Sequence, residues 1–289
     1  MRKTHCALLI GINYFNTSSE LGGCINDINN IKKVLVEKYN YGKIITLTDN
    51  KNPKPTRANI IKNLKSVIFG SDKFNELYIH YSGHGTYVHD RNNDEVDGLD
   101  EAIVPVDYNA SGIIIDDELF DIIKNAKCNV RIVFDSCHSG SCMDLKYSYI
   151  YNNSGSLIQT IVENSKETRA NICMISGCRD KQLSTDVYNP TTRQNNGALT
   201  NGLINFISQS QNRTIKIREI LPVLNRNLVE YEQNPVLSSS FVITENTNFI
   251  TAQQRRINGR INGRRNDKPK NFYNLLILSK AKVKIVRKN

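Results

Sequence analysis

Apolar residues in this chain fall in short, near-continuous runs bounded by turn residues. Six of them, 6–12, 43–48, 76–82, 129–135, 170–176 and 239–244, have the length and composition of strands. Between them the apolar positions recur at helical spacing. Residues 25–39 place Ile28, Ile31, Val34 and Leu35 together, and Thr56 is positioned to cap a helix over 57–68. Asp116, Asp117 and Glu118 open a helix running to about 126, where negative charge suits the helix dipole. Two further helices are predicted over 197–208 and 216–231, the second interrupted by Pro222. Strands that are apolar throughout, alternating with helices, are covered on both faces. The pattern therefore predicts an α/β fold, a doubly wound, mostly parallel six-stranded sheet flanked by helices.

Ligands in such sheets bind beyond the carboxyl ends of the strands, at the topological switch point. Two runs end abruptly there in small-residue turns that carry a reactive side chain. Leu77-Tyr-Ile-His-Tyr-Ser-Gly-His84-Gly-Thr presents His84, and Val133-Phe-Asp-Ser-Cys137-His-Ser-Gly presents Cys137. On neighbouring strands the two turns are about 5 Å apart. A thiol and an imidazole so placed are the parts of a cysteine nucleophile and its acid/base partner. An imidazole beside a thiol of ordinary pKa about 8.5 raises its thiolate fraction. His138 is the rival base, disfavoured because adjacent residues seldom face each other.

Charge divides the chain unevenly. Of its 38 Lys and Arg, 12 lie in residues 251–289 with a single acid, Asp267, so the first 250 residues are near neutral. The tail includes the repeat Arg256-Ile-Asn-Gly-Arg260-Ile-Asn-Gly-Arg264 and is expected to be a poorly ordered basic extension, with nucleic-acid or anionic-surface contact as an open reading. Residues 1–250 form one domain on this reading. It comprises a large segment over 1–150, a polar exposed connection over 145–169, and a small segment over 170–250. No run approaches the roughly 18 apolar residues that span a bilayer, and the first apolar run reads as a buried strand rather than a signal peptide. Seven cysteines without a Cys-x-x-Cys pair suit reduced thiols in a cytoplasmic compartment and argue against structural zinc. Asp90, Asn92, Asp94 and Glu101 mimic EF-hand spacing, but Glu95 stands where that loop needs glycine.

Several ordered motifs resemble the metacaspases, caspase-like cysteine peptidases of the caspase–legumain–gingipain group. They are Tyr81-Ser-Gly-His84-Gly, Asp97-Gly-Leu-Asp100-Glu-Ala-Ile-Val-Pro-Val-Asp107, Asp116-Asp117, Asp135-Ser-Cys137-His-Ser-Gly140, Ile175-Ser-Gly-Cys-Arg-Asp-Lys-Gln182, Gly197-Ala-Leu-Thr200 and Pro235-Val-Leu-Ser-Ser-Ser240. The resemblance covers roughly residues 5–245 and suggests a compact form without an N-terminal extension. It implies catalysis by Cys137 and His84, with the backbone N–H groups of Gly85 and Cys137 holding the oxyanion. It assigns Cys24, Asp27, Ser82 and Asp135 to the pocket for the residue preceding the cut. Asp186 is a weaker candidate for the rim. Two carboxylates there select a cationic guest, so cleavage after Arg or Lys is expected. Asp100, Asp116, Asp117 and Asp144 match the family's calcium ligands, four hard oxygen donors suited to activating Ca2+.

The expected activity is a calcium-activated, monomeric cysteine endopeptidase acting on proteins or peptides with exposed Arg or Lys. Lys166, Arg169 and the basic repeats are exposed sites at which it would process itself. A non-proteolytic binding module with the same cleft, and nucleic-acid binding through the tail, are the alternatives.

Overall fold

The computed structural model describes residues 4–89, 98–136, 143–152, 156–162, 165–177, 186–189, 194–231, 233–253 and 284–287; for 186–189, 284–287 and residue 230 only the backbone is described. In chain order the elements are β1 (Thr4–Gly11), α1 (Cys24–Glu37), β2 (Lys43–Thr48), α2 (Arg57–Phe69), β3 (Phe74–Ser82), β4 (Gly85–His89), β5 (Leu99–Ile103), α3 (Tyr108–Ser111), β6 (Ile114–Ile115), α4 (Asp116–Ile123) and β7 (Asn129–Asp135). Then follow β8 (Tyr147–Tyr151), β9 (Leu157–Ile161), β10 (Ile172–Ser176), β11 (Asp186–Asn189), β12 (Gln194–Gly197), α5 (Ala198–Gln209), β13 (Thr214–Lys216), α6 (Ile217–Leu228), β14 (Val236–Ser239), β15 (Asn248–Thr251) and β16 (Lys284–Arg287).

The central sheet has nine strands in the order β16-β9-β8-β14-β10-β7-β3-β1-β2. Its middle, β2-β1-β3-β7-β10, is parallel, and β14 and β8 add antiparallel strands beyond β10. The six expected strands are the contiguous run from β2 to β14. The count of six falls short by three: the segment 145–169, expected as a polar connection, contains the hairpin β8–β9, and the basic extension supplies β16, which pairs with β9. Tyr147-Ser-Tyr-Ile-Tyr151 is polar by side-chain tips but is made of good strand formers, and Tyr149 is buried. The run at 239–244 is likewise misplaced. Pairing ends at Ser239 opposite Cys173, and Ile243 is apolar because it is buried beyond the strand, its N–H donating to Tyr149 Oη at 3.0 Å. Nor does Pro222 interrupt α6. Ile217, Ile220, Leu221, Leu224 and Leu228 bury one face of that helix, and this packing outweighs the roughly 3 kcal/mol that an interior proline opposes.

Successive strand residues point to opposite faces, and both faces are covered. Leu8, Ile10, Leu77, Ile79, Val130, Ile132, Ile172 and Met174 pack with α2 and α4. Ala7, Leu9, Tyr78, Val133, Cys173 and Ile175 pack with α1, α5 and α6. This is why the strands read as unbroken apolar runs. Arg131, in the middle of β7, is buried; its Nε donates to the carbonyls of Asn248 and Phe249 at 3.2 and 3.1 Å.

The chain leaves β1 for β2 on one side and returns to β3 on the other, so the switch point lies between the ends of β1 and β3. The start of α1 crosses there in close contact. A Cβ on Gly11 would lie 2.6 Å from Ile28 Cγ1 and 2.7 Å from the Cys24 carbonyl oxygen. Gly11→Ala is therefore expected to destabilise the fold by about 1–3 kcal/mol through overpacking, read as a lower urea midpoint with an unchanged slope.

Candidate active site

His84 follows β3 after the two small residues Ser82 and Gly83, and two tyrosine hydroxyls hold its backbone. Its N–H donates to Tyr14 Oη at 3.0 Å, and its carbonyl accepts from Tyr81 Oη at 2.6 Å. Tyr14 in turn donates to the Val104 carbonyl at 2.6 Å. Burial, then the neighbouring Tyr81, pushes the Tyr14 phenol well above its ordinary pKa, so it stays a donor. The imidazole lies against the Tyr14 ring, centroids 4.7 Å apart. Its Nε2 meets the Ser19 carbonyl at 2.8 Å. A carbonyl only accepts, so in the neutral ring the proton sits on Nε2 and Nδ1 carries the basic lone pair.

The second turn leaves the neighbouring strand. Ser82 pairs with Asp135 in the β3–β7 register, and the Gly83 N–H donates to the Asp135 carbonyl at 3.4 Å. Asp135 and Ser136 are both buried. Cys137 itself, expected as the nucleophile and as an oxyanion donor, lies outside the described residues, as does His138. Gly85, the other expected oxyanion donor, opens β4 and is half-buried.

Of the four residues expected to form the specificity pocket, Asp27, Ser82 and Asp135 are brought together, and Cys24 lies one turn before Asp27 on the same helix. Cys24 and Asp27 open α1 at the switch point, Ser82 ends β3 and Asp135 ends β7; all four are buried. Ser82 Oγ donates to Asp27 Oδ2 at 2.7 Å. The segment after β10 supplies groups the sequence reading did not single out. Asn196 Nδ2 donates to Asp27 Oδ1 at 3.0 Å, and the Gly197 N–H reaches both Asp27 oxygens at 3.1 Å. The Thr200 N–H donates to Asp135 Oδ2 at 2.8 Å, and His80 Nε2 meets Thr200 Oγ1 at 3.0 Å. Gly197 is wedged beside Asp135: a Cβ there would lie 2.6 Å from Asp135 Cγ. Two carboxylates thus face the amino end of α5, where N–H groups and the helix dipole favour anions. The only hint in the sequence was the motif Gly197-Ala-Leu-Thr200, which gives no indication of the distant partners. Burial, then the charge of Asp135, raises the pKa of Asp27, against the pull of its hydrogen bonds. Asp186 is described only by its backbone in β11.

The second acidic set is gathered in part. The Met143 N–H donates to Asp116 Oδ2 at 3.5 Å, and Asp144 follows with φ 36°, in the left-handed region. Burial, then the charge of Asp144, pushes Asp116 up to about 7. Asp116 Oδ1 is buried without a hydrogen-bond partner. Asp100 and Asp117 line one cavity of about 550 Å³, with Arg57, Val88 and Glu118. Among the described residues no group of three or more His, Cys, Asp or Glu stands ready as a metal cage. The ammonium of Lys166 pairs with Asp117 and lies 3.4 Å from Asp144 Oδ2. Lys166, expected as an exposed processing site, is therefore partly buried as a counterion; Arg169 is exposed.

Known proteins share both the sequence and the fold of this chain. Residues 5–146 match the family described as metacaspase, peptidase C14 domain. Metacaspase-1 of Saccharomyces cerevisiae is 33% identical over 298 residues, covering 84% of this chain and 68% of that one. Metacaspase-1A of Aspergillus terreus is 32% identical over 294 residues, covering 84% of this chain and 72% of that one. Among solved structures, a Geobacter sulfurreducens protein superposes with a TM-score of 0.59 at 23% identity, over 86% of this chain and 100% of that one. Caspase-1 of Spodoptera frugiperda superposes with a TM-score of 0.51 at 13% identity, over 88% and 92%, which supports the caspase-like fold. No helix among the described residues is long and apolar enough to cross a membrane. On the sequence matches, and with this fold, the chain belongs to the metacaspases, which are cysteine-type peptidases.

Proposed function

We propose that this metacaspase is an endopeptidase that cuts after Arg or Lys with Cys137 as nucleophile and His84 as its acid/base partner. The observation that carries the specificity is the pair of buried carboxylates, Asp27 and Asp135, held at the switch point by N–H donors from Gly197 and Thr200. A hollow of that charge accepts a guanidinium or an ammonium and rejects a carboxylate by like-charge repulsion.

The chemistry follows from the histidine geometry. His84 Nδ1 takes the thiol proton, and the thiolate attacks the scissile carbonyl carbon. The backbone N–H groups of Gly85 and Cys137 donate to the oxyanion that forms. As the C–N bond breaks, the imidazolium returns its proton to the leaving amine. A water, deprotonated by His84, then hydrolyses the thioester. The Ser19 carbonyl, accepting from Nε2, favours the tautomer this sequence needs and stabilises the imidazolium. The two tyrosines fix the ring's backbone without taking part in proton transfer.

Calcium activation is included in the proposal. The donor set fits a hard cation: Asp116 keeps a buried oxygen without a hydrogen-bond partner, and Asp117 and Asp144 already gather around a positive charge, that of Lys166. Asp100, Asp116, Asp117 and Asp144 would hold the ion, which would add its positive charge to that of Lys166. Self-processing is assigned to exposed basic positions, of which Arg169 is described; the Arg-Ile-Asn-Gly repeats lie outside the described residues. The four cysteines described as free thiols, Cys6, Cys24, Cys128 and Cys173, are buried, which suits a reducing, cytoplasmic setting.

Fluorogenic peptides ending in Arg, Lys, Asp or Asn test the specificity. Turnover is expected for Arg and Lys only, and Cys137→Ala is expected to abolish it; cleavage after Asp alone would overturn the pocket assignment.

The raised pKa of Asp27 gives a pH dependence. A cationic guest binds the ionised pair, so binding expels the proton that Asp27 retains. KM for an Arg peptide is then expected to fall as pH rises through that ionisation, by up to about tenfold per pH unit for one proton released. A peptide with a neutral residue at the cleavage position should show no such slope.

Calcium is expected to raise the melting temperature of the Cys137→Ala protein, by a stabilisation of about 2.7 kcal/mol at a hundredfold excess over Kd. Asp116→Asn should lose that increment while still folding in chelator. An equal melting temperature of the parent with Ca2+ and with chelator would remove the calcium assignment.

A further inference from the structure

Beside the two buried carboxylates lies an acceptor that no group among the described residues satisfies. Asn196, in β12, is only 1% exposed. Its Nδ2 donates to Asp27 Oδ1 at 3.0 Å. With Asp27 ionised, that bond fixes the amide's orientation, because the flipped amide would set Oδ1 against a carboxylate oxygen. Oδ1, turned away from Asp27, is buried and has no hydrogen-bond partner among the described residues. Buried polar atoms in native proteins are almost always paired, so such an orphan calls for an explanation. The position of Asn196 is not accidental. The carbonyl of the preceding Asn195 accepts from Asn26 Nδ2 at 2.9 Å, tying this strand to the helix that carries Asp27. The next residue, Gly197, contacts both Asp27 and Asp135.

We propose that Asn196 is a specificity residue of the substrate pocket, its Oδ1 accepting an N–H from the substrate's basic side chain alongside Asp27 and Asp135. The proposal rests on reading that pocket as the site for Arg or Lys. A guanidinium brings five N–H donors in a fixed planar fork, more than two carboxylates need to engage. A neutral amide oxygen satisfies a further donor without adding a third negative charge to a pair that already repels itself. The substrate in turn satisfies an atom that the free enzyme leaves unpaired. The rigid fork makes better use of a third acceptor than the compact ammonium of lysine, so Asn196 favours Arg over Lys.

The test uses inactivation rates, which read the pocket and the thiol separately. Wild type, Asn196→Ala and Asn196→Ser, each checked by thermal melting, are treated with an arginyl-peptide chloromethyl ketone, its lysyl and aspartyl counterparts, and iodoacetamide. In each case the Cys137 thiolate forms the S–C bond and halide leaves. For Asn196→Ala, the arginyl rate constant is expected to fall about tenfold, the size of loss seen when a designed polar contact to substrate is removed. The lysyl rate should fall less and the iodoacetamide rate should stay unchanged. Asn196→Ser, a smaller change, should show the same order of effects and serves if the alanine variant fails to fold. Arginyl and iodoacetamide rates that fall together, or an arginyl rate that does not fall, would overturn the proposal while the basic pocket stands. A wild-type protein that reacts no faster with the arginyl than with the aspartyl reagent would refute the basic pocket itself, and this inference with it.

Discussion

Two carboxylates buried beside one another are the constraint around which this molecule is arranged. Asp27 and Asp135 come from different elements, one from the helix after β1 and one from the end of β7. Left alone, each would raise the other's pKa and favour a neutral, collapsed hollow. The start of α5 opposes this with N–H donors from Gly197 and Thr200, and Ser82 and Asn196 add side-chain donors. The balance is incomplete, since burial still holds Asp27 above its usual range. A cationic guest, as proposed for this pocket, would displace the proton that Asp27 retains. The two ends of the chain's peptidase fold are thereby coupled at the hollow to which specificity is assigned.

Reactivity and positioning are assigned to different groups. Tyr14 and Tyr81 hold the backbone of His84 from both sides, and Ser19 selects the tautomer. The imidazole is therefore oriented by a neutral acceptor. A carbonyl partner orients the ring without placing a second charge beside it.

The other acidic set follows the opposite logic. Asp116, Asp117 and Asp144 are gathered beside the ammonium of Lys166, which pairs with Asp117 and approaches Asp144. Where the specificity pair is tuned by hydrogen bonds, this set is tuned by a charge on a flexible stem, one that an ion of higher charge can replace. Among the described residues the buried Asp116 Oδ1 has no hydrogen-bond partner, which is what supports the proposed calcium site.

Much of this was legible in one dimension. Strands buried on both faces are apolar at every position, so the parallel core and its order of helices follow from hydropathy alone, and the two small-residue turns identify His84 and the Asp135–Cys137 segment as the ends of strands. What the sequence could not show were partners brought together by folding. Hairpin β8–β9 was hidden because tyrosine reads as polar while pairing well in a sheet. Arg131 breaks an apolar run, and the carbonyls of Asn248 and Phe249, over a hundred residues away, help to make it tolerable. Asn196, Gly197 and Thr200 look like an ordinary polar turn leading into a helix until α1 and β7 are set beside them. Local periodicity determined which elements form, because each strand or helix buries its own residues. The tertiary structure alone decided which buried charges are satisfied, because a hydrogen bond across 170 residues leaves no periodic trace.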